Sequence, residues 1–207
     1  MSNSPAAFER NARAYNDYLS SLFTKTITEH PLRPIIRPFG AFISFRGAER
    51  FGDSPSVELK NGCRIRVSQV ISPNPRNSSK VTTAEYSYSY ALGPDPDKDW
   101  LLRYDYVPDE PAKNPEYRYP VAHVHFNGVS EAYDRLDQAE HKPLHKMHCP
   151  TERITVEDFI EHLIIEFDAL TGEKRTAALA FLAQSRRGFH EQKRTRRPPY
   201  DVPEQKA

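Results

Sequence analysis

Tyr86, Tyr88 and Tyr90 alternate with Glu85, Ser87 and Ser89. In an extended strand successive side chains point to opposite faces, so this run carries one aromatic face and one polar face. Three phenol rings in a row need an apolar cover, which a lone hairpin or a disordered segment does not supply. The same row also fits a platform on which nucleic-acid bases stack. The two readings demand opposite burial of the rings.

The period of two extends well beyond the tyrosines. Ala41 to Arg46, Ser56 to Leu59, Arg64 to Ile71, Val81 to Leu92, Trp100 to Tyr106 and Val121 to Phe126 are rich in branched and aromatic residues, and turn residues break the series between them. Asn61-Gly62 marks a hairpin, because both residues tolerate positive φ. Gly93-Pro94-Asp95-Pro96 marks another break.

Helical spacing appears only at the two ends. Ser4-Pro5 opens a helix carrying Phe8, Ala12, Tyr15, Leu19 and Leu22, and Pro31, Pro34 and Pro38 then force an extended linker. Thr155 caps a helix with Val156, Ile160, Leu163 and Phe167 in a stripe that Phe159 and Ile164 broaden. A second helix runs from about Glu173 towards Arg187, with Ala177, Ala180, Phe181 and Gln184 on one side.

The expected class is therefore α+β: an antiparallel sheet of about six strands, an N-terminal helix, and two C-terminal helices packed on the aromatic face. Residues 1–39 form the helix and proline-rich linker, 40–187 the α+β domain, and 188–207 a disordered basic tail.

A chain of 207 residues suits one such domain with appendages. Its net charge of +1 gives no global case for binding nucleic acid or membrane. The local exception is the tail, where Lys193, Arg194, Arg196 and Arg197 make a basic block suited to RNA phosphates. Cys63 and Cys149 are unpatterned and read as reduced thiols. No secretory signal and no apolar run of membrane-span length is visible, so the expectation is a cytoplasmic protein without a membrane partner. Phosphate-loop, dinucleotide, nucleophile-elbow and HExxH patterns are missing, which leaves ATP hydrolysis, hydride transfer and serine hydrolase chemistry without support.

Chemistry concentrates on two of the predicted strands. Arg103 and Asp105 share one face of the first, and His123 and His125 share one face of the second, opposite Val124 and Phe126. If these strands pair, the four polar groups gather together while Val124 and Phe126 are buried on the other side. Two imidazoles about 6–7 Å apart at their backbones can converge on one metal, or divide acid and base duties across a phosphodiester. Arg103 offers a fork for phosphate, and Asp105 a partner that orients a histidine.

Four readings compete: an inert solvent face, metal-independent acid–base cleavage of RNA, a metal site completed from the 128–150 connection by His141, His145, His148 or Cys149, and a partner-binding face without chemistry.

The run Leu102-Arg103-Tyr104-Asp105, the strand His123-Val124-His125, and Pro150-Thr151-Glu152-Arg153-Ile154-Thr155-Val156-Glu157-Asp158-Phe159 before an apolar helix resemble the small TumE-type toxins of bacterial toxin–antitoxin pairs. The likeness covers roughly residues 85–167. The chain is longer at its N-terminus and carries an insert between His125 and Pro150. The resemblance implies a compact α+β fold and action on RNA or translation, with a cognate antitoxin protein as neutralising partner. The preferred expectation is a toxin-like ribonuclease that needs no cofactor or metal. In it Arg103 binds phosphate, His123 and His125 share acid and base roles, and Asp105 orients one of them. A non-enzymatic interaction module is the alternative, and a metal-dependent enzyme built on the HxH strand comes third. The sequence does not fix an oligomeric state.

Overall fold

Alternating side chains resolve into one antiparallel sheet of eight strands. The computed structural model describes residues 5–46, 54–75, 80–108, 121–127 and 147–193, with 187–193 placed as helix backbone. The strands are β1 (Leu32–Arg37), β2 (Gly40–Phe45), β3 (Val57–Glu58), β4 (Arg64–Pro73), β5 (Val81–Ala91), β6 (Trp100–Tyr106), β7 (Ala122–Phe126) and β8 (Cys149–Pro150). They lie in the order β1-β2-β4-β5-β6-β7-β8, with β3 paired to β4 off that path. The helices are α1 (Pro5–Thr24), α2 (Val156–Glu166) and α3 (Gly172–Lys193). The α+β class stands, with two more strands than the alternation alone reveals.

Both additional strands are edge strands containing proline. Pro34 makes residues 32–37 read as linker, yet β1 pairs with β2 along its whole length, from Leu32 opposite Phe45 to Arg37 opposite Gly40. Proline is tolerated at a sheet margin, where the missing N–H need not serve a neighbour. The expected domain boundary at residue 40 thus falls inside a hairpin. β8 spans two residues, too short for a pattern to show. Between β3 and β4 the turn forms as Asn61-Gly62 predicts, with Gly62 at φ 81 and its N–H bonded to the Leu59 carbonyl.

The tyrosine row faces the core. Tyr86, Tyr88 and Tyr90 are all buried, in one cluster with Ile43, Phe45, Ile65 and Val67 from neighbouring strands. Helix α2 lays Phe159 on Tyr88 at 5.5 Å, and Phe167 just beyond it covers Tyr90 at 4.9 Å. The base-stacking reading of this face is therefore corrected, because no ring remains for a base. Each large side chain so buried contributes about 1.5–3 kcal/mol, provided its polar end is satisfied. The hydroxyls are: Tyr88 donates to Gln69 Oε1 at 3.0 Å, and Tyr86 accepts from the Ile154 N–H at 2.9 Å.

Helix α1 buries Phe8, Ala12, Leu19 and Leu22 as their spacing predicts, and adds Phe23 against Phe45 at 5.3 Å. Its buried Asn16 donates to the Leu32 carbonyl and ties the helix to β1. In α2 the expected stripe holds, and Thr155 forms a full capping box with Asp158. In α3 the buried face is Ala178 and Leu182, while Ala177, Ala180 and Gln184 are exposed. An alanine-rich helix accepts more than one phase of the same stripe, so spacing alone does not select the inner face. The α3 backbone also stays helical through Lys193, past the point at Gly188 where the tail is expected to begin.

Candidate metal centre

The face of the sheet opposite the helices is polar, and its chemistry lies where β5, β6 and β7 adjoin. Registration pairs Arg103 with His125 and Asp105 with His123 across β6 and β7, and Ser89 and Ser87 stand beside Arg103 and Asp105 on β5. The four side chains expected to share a face do so.

Their contacts are specific. Arg103 donates from Nε to Asp105 Oδ2 at 2.8 Å. His125 Nε2 lies 3.2 Å from the same oxygen, and His123 Nε2 lies 3.9 Å from it. Burial pushes the Asp105 carboxyl up, but the His125 bond, the Arg103 charge and a bond from Ser87 outweigh it, leaving the carboxyl below its ordinary range. Asp105 is thus a fixed carboxylate.

Both histidines are buried, His123 at 2% and His125 at 4% exposure. The expectation for β7 is half met: Val124 is buried, but Phe126 is 42% exposed at the strand end. Phe126 is the last residue of β7 and its ring is left partly uncovered there, whereas the polar groups on the other face bury one another. Burial alone therefore does not mark the inner face of this strand.

A third histidine joins the pair. β8 pairs Val124 with Cys149 and His123 with Pro150, and one further step along that register sets His148 opposite His125. The ring centres of His148 lie 4.3 Å from His125 and 4.7 Å from His123, which are themselves 4.9 Å apart. One ring nitrogen from each of the three falls within 4.8 Å of the other two. Alternation sends Cys149 towards the opposite face, so among the described residues of the connection His148 is the one that reaches the site. The sequence signal that distinguishes it is its position directly before the Cys149-Pro150 strand, visible only once β7 has a partner. His141 and His145 lie outside the described residues, as do Arg194, Arg196 and Arg197. Lys193 is described only as the last residue of α3.

The donor set fits a transition metal. His125 gives its Nε2 side to Asp105, and its Nδ1 is buried without a hydrogen-bond partner among the described residues. An imidazole held by a carboxylate through one nitrogen, with the other nitrogen left as an acceptor, is the usual state of a metal-ligating histidine. A tetrahedral zinc ion with nitrogen bonds of about 2.0–2.1 Å would draw the three nitrogens to roughly 3.4 Å of one another, a movement that small side-chain rotations supply. Three imidazoles without a carboxylate ligand suit zinc, copper, nickel or iron and not magnesium or calcium.

Arg103 is the outward member of the group. Its side chain is 40% exposed and its guanidinium lies 5.5 Å from the centre of the Trp100 ring, while Asp105 beside it is 13% exposed. No described helix is long and apolar enough to cross a membrane. No protein-family profile, curated protein or solved structure matches the chain.

Proposed function

We propose that the protein is a metal-dependent hydrolytic enzyme whose centre is formed by His123, His125 and His148. One observation carries this reading: the buried Nδ1 of His125, without a partner among the described residues, sits on a ring whose Nε2 is tied to Asp105, in contact with two further imidazoles. His123, His125 and His148 would hold a divalent ion, which would supply an acidified water and Lewis-acid polarisation of a substrate oxygen. The residues do the rest. Asp105 fixes the tautomer and angle of His125, and Arg103 and Ser87 fix Asp105. The rings of His123 and His125 are buried, and His148 is half-buried.

Purified protein is expected to hold close to one equivalent of zinc, and His123→Ala or His148→Ala to hold far less while remaining folded. Chain that carries no metal, takes up none on titration with zinc, and shows the same melting temperature with and without chelator would sink the proposal.

A second reading keeps the histidines and dispenses with the ion. Metal-independent cleavage of RNA, with His123 and His125 as acid and base, draws support from the Asp105–His125 bond, which also suits a general base. RNA is then the substrate and a cognate antitoxin the neutralising partner, as the likeness to TumE-type toxins implies. Cleavage of bulk RNA that is undiminished in chelator would favour this reading. Cleavage restored only by added zinc would favour the first.

A further inference from the structure

We infer that the metal centre takes a phosphoryl oxyanion, which Arg103 holds beside the ion; this rests on the metal reading above. Charge is the first reason. The three ligand candidates are neutral imidazoles at the pH where they bind metal, so a divalent ion keeps its full charge. Among the described residues, the carboxylate in contact with the cluster is Asp105, and Arg103 is bonded to it and cancels it. A loaded site would therefore be strongly cationic and partly desolvated by the burial of His123 and His125, and calls for a ligand carrying more than one negative charge.

Access is the second reason. His123 and His125 are buried, while Arg103 reaches solvent, so a ligand that approaches from the Arg103 side meets its guanidinium before the ion. The third reason is preparation. Nε is spent on Asp105 at 2.8 Å, and the Trp100 ring lies 5.5 Å from the guanidinium, so one edge of the group is held before any ligand arrives. A planar fork held on one side presents its terminal nitrogens to two oxygens of one anion, as phosphate recognition requires. His125 stands directly across from Arg103 in the register, so the fork and the candidate ligand rings share one patch of the sheet face. Arg103 is thus a binding residue for the phosphoryl group and a positioning residue for Asp105.

Cobalt-substituted protein tests this without relying on turnover, because the visible spectrum of the ion reports what enters its open position. Inorganic phosphate is expected to change the spectrum saturably in wild type, and acetate to do so only at much higher concentration. Arg103→Gln is expected to bind cobalt in the same stoichiometry but to weaken phosphate by about 10- to 100-fold. Arg103→Lys is expected to recover only part of that loss, since a point charge lacks the fork. A cobalt spectrum indifferent to millimolar phosphate overturns the inference and leaves the metal centre standing. So does Arg103→Gln binding phosphate as well as wild type, and acetate matching phosphate replaces the phosphoryl class with carboxylates. Protein that binds no cobalt removes the metal reading and this inference with it.

Discussion

The chemistry of the site turns on one oxygen. Asp105 Oδ2 receives the Arg103 Nε–H and lies 3.2 Å from His125 Nε2, so it sets both the outward cation and the acceptor nitrogen of His125. Asp105→Asn keeps the shape and removes the charge, and is expected to weaken zinc binding by about 10- to 100-fold in a direct titration. The same substitution has a consequence for acid stability. Because the folded carboxyl sits below its ordinary value, its contribution is full above the unfolded carboxylate range and is lost as pH falls through the depressed value. Wild type should therefore lose more stability than Asp105→Asn between neutral pH and strongly acidic solution, as judged from urea midpoints of the metal-free proteins. Away from the site, Gln69 has a comparable role inside the core. Its Nε2 reaches Tyr15 and Thr83 and its Oε1 accepts from Tyr88, so Gln69→Ala leaves several buried hydroxyls without their partner and should cost about 2–4 kcal/mol.

At the scale of elements, local chemistry fixes ends and tertiary pairing fixes the rest. Thr155 and Asp158 exchange bonds across the first turn of α2, while the Tyr86 hydroxyl holds the Ile154 N–H just before it. Thr155→Ala should therefore cost about 0.5–2 kcal/mol, measured as a lowered urea midpoint with unchanged slope. That cap, the stripe of α2, the Asn61-Gly62 turn and the strands bearing RxD and HxH were all legible in the sequence, since each depends on residues within a few positions of one another. The remaining features depend on distant partners. Pro34 hides β1 because a proline reads as a break until its strand is known to lie at a margin. His148 was one of four candidates in the connection after β7, and between the two that are described, His148 and Cys149, the pairing of Val124 with Cys149 favours His148. The inner face of α3 was legible only in part: Phe181 does pack against the core, but Ala178 and Leu182 are the buried pair, because Ala178 with Leu182 and Ala177 with Phe181 are equally regular patterns.

Across the whole molecule the helices are coupled to one another as well as to the sheet. Glu157 of α2 is buried where the Tyr18 hydroxyl of α1 donates to it and Ser185 of α3 donates at 3.2 Å. Glu157→Ala should loosen all three helices together, so far-ultraviolet circular dichroism and tyrosine fluorescence should still report one shared, lower transition. Among the described residues, the sheet they cover has proline in both of its outermost strands, Pro34 in β1 and Pro150 in β8. A growing fibril recruits chains through the bare donors and acceptors of a sheet margin, and a proline there interrupts the template. Replacing Pro34 with Val should accordingly raise light scattering on prolonged incubation at concentrations where wild type stays clear. The same two residues that disguise the ends of the described sheet in the sequence would thus interrupt the template its margins offer to another chain.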